Sequence, residues 1–348
     1  MISDSLRGNG KSAAKCVVAQ RGRLIPVVEP GKPPILEVTS RCPVPDWISA
    51  HIYDLDALLL GFGAVLIRGL GVTDPAVLAE VRDRMSPVAV TDTEPFARRL
   101  EHGRGVVSSA EWPADQPMNP HHELSYALTF PRLLLYACLS APLSGGATTL
   151  ADATTMMSRL PADIVAKFEK LGWIMTRHYE GDVGLPWQEA FGTEDRSDVE
   201  NYCRDNRIAF EWRPSGGLRT RQGRSAVIRH PSTGQSCWFN QIAFLSRWSM
   251  DEEFREYLAD VPTADLPFDT RFGDGTPIGA DAVRGINEAY ETVVLREPWQ
   301  RGDLLIVDNV RMAHGRDAYV GDRTVALAMA DPVGLADCEP SVDPFLPL

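Results

Sequence analysis

Three consecutive residues, His121, His122 and Glu123, open the chemical reading of this chain, in the stretch NPHHELSYALTFPRLLL. Imidazoles and carboxylates ligate metals and move protons. The triplet can therefore be a metal site, an acid–base pair or the polar end of a strand. In an extended segment, side chains at i and i+2 share a face. His121 and Glu123 then point one way, and His122 points the other. An imidazole and a carboxylate so placed suit two adjacent positions of a metal octahedron. A 2-His-1-carboxylate facial triad uses such a pair, takes a second histidine from elsewhere and leaves positions open for substrate or oxygen. Alone, the pattern is weak, because a surface or satisfied core histidine also explains it.

Among the seven histidines, His314 is the best-placed partner. It follows the apolar run DLLIVD in RGDLLIVDNVRMAHGR, next to Gly315, where a strand can project it into a barrel mouth. Arg323 opens the next apolar run, RTVALAMAD. It is either a solvated charge or a bidentate clamp for a carboxylate.

The elements that must position these residues alternate between helical and extended patterns. PDWISAHIYDLDALLLGF has helical spacing, and GAVLIRGLG is a β-rich run closed by glycines. In TDPAVLAEVRDRM, Asp74 is an N-cap with Pro75 at the first helical position. PADIVAKFEKLG reads as a helix stopped by Gly172, followed by the strand GWIMTRHY. SDVENYCRDN carries a capping box, Ser197 with Glu200. PRLLLYACLS is strand-like, with a buried helix left open by its periodicity; a strand is expected at RTVALAMAD, a strand–turn–strand at SAVIRHPSTGQSCWFNQ, and a helix at GADAVRGINEAYETVV. Gly181 to Asp198 is rich in glycine and charge and reads as a loop or lid. Many short strands with a few helices predict a β-rich α+β domain, a barrel or jelly roll under helical cover. Residues 1–34 read as a poorly ordered lead-in, and 35–348 as one domain.

The chain has 348 residues, 44% hydrophobic and 24% charged, the balance of an ordinary globular protein. A net charge of -12 argues against non-specific binding to nucleic acid or anionic lipid. Six scattered cysteines form no CxxC pair, so a zinc ribbon is not expected, and most of them are expected to be reduced, buried thiols, as in a cytoplasmic protein. No apolar run approaches the roughly 20 residues of a membrane span. Homo-oligomerisation stays open.

Taken together, PHHE, GGATTLAD, HPSTGQSCWFNQ and PWQRGDLLIVDNVRMAHGRDAYVGDR resemble the TauD/TfdA-type and clavaminate-synthase-like iron(II)/2-oxoglutarate dioxygenases. The resemblance runs from about Gly63 to Asp331 and is strongest to the syringomycin-type amino-acid hydroxylases. It implies a double-stranded β-helix with inserted lid elements, and Fe(II), 2-oxoglutarate and O2 as cofactor and cosubstrates. His121, Glu123 and His314 map to the metal ligands. Thr148 and Arg323 map to the pair that holds the far carboxylate of 2-oxoglutarate, with Gly145 and Gly146 forming the turn before Thr148. Where many relatives carry a second arginine in this region, Thr324 follows Arg323. Trp238, Phe239 and Asn240 map to a strand lining the substrate pocket.

Tyr126 and Arg316 are further candidate substrate contacts. Each has a bland alternative: packing or hydrogen bonding for Tyr126 and Asn240, the core for Trp238, a structural ion pair for Arg316. Asn119, Gln241 and Arg229 are weaker candidates. His122 reads as supporting or outward-facing, and His230 as a turn residue. The expected reaction is hydroxylation of an aliphatic carbon of an amino acid, free or tethered to a carrier protein, in natural-product biosynthesis, with succinate and CO2 as co-products. Desaturation or cyclisation is the alternative outcome. A zinc hydrolase built on the same three residues is the rival class, and Thr148 with Arg323 argue against it. Glu123 itself disfavours halogenation, since related halogenases replace this carboxylate to admit chloride. A jelly-roll binding protein without catalysis is the other rival.

Overall fold

The computed structural model describes residues 23–180, 184–258, 260–261 and 266–347. Of the expected lead-in, residues 1–22 lie outside the described residues. Residues 23–34 run without helix, and Val27 bridges Ile35.

The stretch PRLLLYACLS becomes the strand Thr129–Ser140, the centre of a seven-stranded sheet. Its neighbours are Leu304–Asp308 and Thr324–Gly334, both antiparallel to it. Beyond Leu304–Asp308 lie Ala64–Arg68 and Ile35–Glu37, and beyond Thr324–Gly334 lie Val106–Ser108 and Glu101–Gly103. An unbroken apolar run suits a central strand because both its faces are covered. Leu133, Leu135 and Ala137 pack with Trp47, Leu55, Leu59, Leu78 and Val81 of the helices Val44–Ala50, Ile52–Phe62 and Pro75–Met85. The alternate residues Leu134, Tyr136 and Cys138 face Leu150 and Met312 of a second sheet. That four-stranded sheet has the order Val294–Leu295, Thr148–Asp152, Met312–Arg316, Met118–His121. The architecture is thus a mixed one, two packed sheets with helices over the outer face of the larger.

The chain between Asp152 and Leu304 adds a further antiparallel sheet, ordered Ala209–Trp212, Leu218–Arg224, Trp173–His178, Phe268–Phe272. The helix Ala280–Val293 buries Val283, Ile286, Ala289 and Tyr290, one stripe at helical spacing, against the core that holds Trp173 and Trp238.

Most of the expected elements are present, with three differences. The first helical run is two helices, broken at His51 (φ -118°, ψ 15°), whose ring nitrogen Nδ1 bonds the carbonyl of Trp47. The capping box at Ser197 is displaced: Asp195 caps the helix Arg196–Asp205 by accepting from the N–H of Ser197, while Glu200 accepts from Trp212 and Arg204. Within the stretch read as a loop or lid, residues 181–183 lie outside the described residues, and Trp187–Phe191 is a short helix. Asp74 caps its helix with Pro75 following, as expected. Four cysteines, Cys138, Cys203, Cys237 and Cys338, are free and buried. No helix among the described residues is long and apolar enough to cross a membrane.

Candidate active site

His121 closes the strand Met118–His121 and pairs in register with His314. On its other side His314 pairs with Leu150. Close approach of these strands depends on Gly315: a Cβ there would stand 2.4 Å from the Met118 carbonyl oxygen and 2.8 Å from the Thr149 hydroxyl. The strand stops at His121, so Glu123 is not on it, and the expected alternation does not reach the carboxylate. Leu124 adopts a left-handed conformation (φ 54°), and the turn brings Glu123 back beside the two imidazoles. The Nε2 of His314 lies 3.7 Å from Glu123 Oε2, and the His121 and His314 rings are 4.5 Å apart. One ligand atom from each of the three lies within 4.8 Å of the others. His121 Nδ1 donates to the Asn119 carbonyl at 2.9 Å, which leaves Nε2 facing the cluster. His122 turns the other way, fully buried, with Nδ1 donating to the Asn309 carbonyl at 2.6 Å.

The electrostatics prepare a ligand set. Burial, reinforced by the charge of His314, pushes the His121 imidazolium down to about 3, so the ring is neutral. Burial works against ionisation of Glu123, but Arg99 and then His314 hold its carboxyl well below the usual range. Arg99 donates to both Glu123 oxygens, at 3.1 and 3.0 Å, and its Nε lies 3.2 Å from Asp92. Phe244 stacks on His121 at 4.3 Å. Two imidazoles and one ionised carboxylate, with Nδ1 of His314 lacking a hydrogen-bond partner, fit a divalent iron.

One hairpin carries His314 from the first sheet into the second. At its turn Asp308 Oδ1 accepts from the N–H groups of Val310 and Arg311. Asn309 then reaches across to the other half of the site. Its Oδ1 accepts from the Glu123 N–H at 2.8 Å, and its Nδ2 donates to the Glu123 and Pro131 carbonyls, both at 2.9 Å. His230 serves the same turn: Nδ1 accepts from Ser232 and Thr233, and Nε2 meets Asp308 at 3.0 Å.

Thr148 and Arg323 are brought together. Thr148 pairs with Arg316, two residues along the strand from the Leu150–His314 pair. The Arg323 guanidinium donates to the Gly146 carbonyl at 2.8 Å, to Thr148 Oγ1 at 3.3 Å and to Ser109 Oγ at 3.4 Å. Trp299 donates to the same Thr148 oxygen at 3.2 Å. All these acceptors are uncharged. Burial, and then repulsion from Arg316, pull Arg323 down to about 10, the mark of a buried cation lacking an anion.

A cavity of about 570 Å³ opens onto His121 and Glu123. Its apolar wall includes Phe96, Trp112, Met118, Phe244 and Phe268, and its polar wall Asp92, Arg99, Glu111, Gln241 and Asp251. Of the substrate-contact candidates, Tyr126 lines this cavity, with its hydroxyl donating to the carbonyl of Glu94. The other three stand elsewhere, a correction to the sequence reading. Trp238 is fully buried and packs edge-on against Phe168. Asn240 bonds the Ala226 carbonyl and the Ile242 N–H. Arg316 is committed to the carbonyls of Trp112, Pro113 and Gln116, so it shapes the cavity wall from behind. Sequence reasoning missed Arg99 and Asp92, which stand in a segment without periodicity and reach Glu123 only through tertiary folding.

Two histidines from paired strands and a carboxylate from the turn that follows one of them, beside a cavity, are the donor set of a mononuclear iron oxygenase. The family described as taurine catabolism dioxygenase TauD, TfdA family matches residues 28–329, and the chain belongs to that family. It is an iron(II)- and 2-oxoglutarate-dependent dioxygenase, with O2 as the other cosubstrate. A dapdiamide synthesis protein, DdaC, of Enterobacter agglomerans is 34% identical over 296 residues, 85% of this chain and 89% of the relative. A clavaminate synthase-like protein of Arabidopsis thaliana is 28% identical over 293 residues, 81% and 86% of the two chains. Among solved structures, PvcB of Pseudomonas aeruginosa shares the fold with a TM-score of 0.52 at 15% identity, covering 93% of this chain and 96% of its own. A taurine dioxygenase of Burkholderia xenovorans has a TM-score of 0.52 at 14% identity, covering 90% and 91%.

Proposed function

We propose that His121, Glu123 and His314 hold the iron, and that Thr148 and Arg323 hold the far carboxylate of 2-oxoglutarate, in a double-stranded β-helix formed by the two packed sheets. The observation that carries this reading is Arg323: a half-buried guanidinium whose hydrogen-bond acceptors, among the described residues, are all uncharged, held against Thr148, which stands two strand positions from the Leu150–His314 pair. Such a group awaits an anion. A zinc hydrolase would leave it without a purpose.

The bound iron and cosubstrate supply the oxidising chemistry by coupling decarboxylation of 2-oxoglutarate to succinate and CO2 with oxidation of a substrate C–H bond. The residues supply the rest. His121 and His314 present imidazole nitrogen donors. Arg99 and Asn309 fix Glu123 from its carboxylate and its backbone sides. Phe244, Trp112 and Phe268 exclude water from the cavity that receives the substrate. The substrate is an amino acid or amino-acid-derived intermediate, free or carrier-tethered, and the outcome is hydroxylation of an aliphatic carbon in natural-product biosynthesis. A relative named for dapdiamide synthesis supports that setting. The chain itself works as a soluble enzyme on a small molecule.

Anaerobic addition of iron(II) and 2-oxoglutarate tests the reading. A weak visible charge-transfer band is expected, lost in His314→Ala, and its absence from the wild type refutes it. Product mass then separates the outcomes: a gain of one oxygen for hydroxylation, a loss of two hydrogens for desaturation or cyclisation.

A further inference from the structure

One wall of the cavity has no regular structure of its own. Residues 109–116 form neither helix nor strand, and five of them, Ala110, Glu111, Trp112, Pro113 and Gln116, line the cavity. Their carbonyls hang from the segment that follows His314. Arg316 donates to the carbonyls of Trp112, Pro113 and Gln116, and the Tyr319 N–H donates to that of Ala114 at 2.8 Å. At the root of the loop, Arg323 donates to Ser109 Oγ at 3.4 Å. The loop is therefore tied at one end to the arginine assigned to the cosubstrate and along its length to Arg316 and Tyr319.

Arg316 and Arg323 are two cations that form no ion pair among the described residues; their acceptors are carbonyls and hydroxyls. Asp317, next along the chain, turns its carboxylate to Arg296 at 3.2 Å. What the two guanidiniums share is the ring of Tyr319. Arg316 Cζ lies over it at 4.8 Å from the centre, and Arg323 Cζ at 5.8 Å. The turn before Thr148 permits this approach: a Cβ on Gly146 would stand 3.0 Å from both Tyr319 Cβ and Arg323 Cδ. Arg316 is only 7% exposed. A like charge nearby, with no anion to offset it, weakens the hold of a buried cation on neutral acceptors. An anion on Arg323 removes that opposition.

Resting on the oxygenase reading above, we propose that Arg316 and Tyr319 are positioning residues that couple the two binding sites: a carboxylate on Arg323 tightens the grip of Arg316 on residues 109–116, and so fixes the wall of the substrate cavity. Tyr319 sets the spacing of the two guanidiniums and holds the middle of the loop through its N–H. The coupling acts through the far carboxylate of the cosubstrate and not through the end that meets the metal. By linkage, a molecule that fits the ordered wall strengthens retention of the cosubstrate by the same factor.

Amide hydrogen exchange of the full chain, loaded with iron(II) in the absence of oxygen, provides the test. Three states are compared: no keto acid, 2-oxopentanoate, and 2-oxoglutarate at the same concentration. 2-Oxopentanoate keeps the chain length and the chelating end and lacks the far carboxylate. The reporters are the amides of Glu111 and Gln116, bonded to the carbonyls of Arg98 and Pro113, and the amide of Tyr319. 2-Oxoglutarate is expected to slow their exchange by about fivefold or more relative to both other states. In Arg316→Gln and in Tyr319→Leu that difference is expected to fall below about twofold, while the visible band with 2-oxoglutarate still forms. Tyr319→Leu leaves the backbone bond to Ala114 in place, so it decides the matter if Arg316→Gln fails to fold. Equal protection by the two keto acids overturns the proposal, as does a difference that survives in Tyr319→Leu. A wild-type band with no protection of the loop refutes the coupling alone, whereas absence of the band refutes the oxygenase reading.

Discussion

Replacing Asn309 by alanine should disconnect the two halves of the metal site. Three hydrogen bonds disappear together, two to Glu123 and one to the Pro131 carbonyl. The surroundings are buried: Asn309 itself has no exposed surface. An abandoned buried backbone group costs about 1–3 kcal/mol. Water entering the vacated space would restore part of this, so a net loss of about 3 kcal/mol is expected. Because the side chain grips Glu123 at both its N–H and its C=O, the carboxylate should also lose its fixed position. Loss of a hydrogen-bonding support behind a metal ligand typically weakens the metal by about 10–100-fold. Chemical denaturation measures the first quantity, and an anaerobic iron(II) titration the second. Asn240→Ala is the control, since it also removes two buried hydrogen bonds but holds no iron-site residue. Iron affinity in Asn309→Ala within about twofold of wild type, or an equal loss in Asn240→Ala, would refute the reasoning.

Four further outcomes can be checked. His121→Ala should lose iron, whereas His122→Ala should keep it and lose only stability, as read by metal analysis after desalting. Arg323→Gln should raise the KM for 2-oxoglutarate by roughly 10- to 150-fold, the equivalent of about 1.5–3 kcal/mol for hydrogen bonds to a charged group, with iron content unchanged. Gly315→Ala should force the strands bearing His121 and His314 apart and cost iron binding, with no loss expected from Gly61→Ala, on an open helix surface. Burial raises the carboxyl of Glu94 to about 6 against the pull of Arg177, so the folded state holds its proton where the unfolded state has released it. Stability from this group is therefore present below about pH 4.5 and falls as pH rises to about 6, by about 2 kcal/mol. Denaturation of Glu94→Gln should show the variant gaining on wild type across that window, and a constant difference would count against it.

Much of this was legible in the sequence because it depends on local pattern. The apolar run from Pro131 to Ser140 read as strand-like, and the sheet on which it pairs decides against a buried helix; Asp74–Pro75 announced a helix start. The pairing of His121 with Glu123 was also anticipated, although for a partly mistaken reason. The strand ends one residue before the alternation could act on Glu123, and a left-handed turn at Leu124 does the work instead. Such a conformation at a leucine has no sequence signal. Asp195 displaced the capping box because its carboxylate accepts from the Ser197 N–H, so the helix has already begun at Arg196. Trp238, Asn240 and Arg316 were misplaced because neighbours in a motif need not face a cavity together. Arg99 and Asp92 were missed because their importance lies in what they touch, and those contacts exist only once distant segments meet.

The in-register pair of His121 and His314 also bears on how the protein comes to exist. Its members lie far apart in the sequence, with the whole inserted sheet between them. No partial chain ending before the last hairpin can assemble the site, so the metal can be captured only after the final strands have docked. Iron then acts as a ligand of the finished fold alone, and its free concentration enters the folding equilibrium by mass action. Scarcity of iron would thus lower the protein's standing population as well as its turnover, and the inserted sheet, which holds no ligand, would feel the shortage equally.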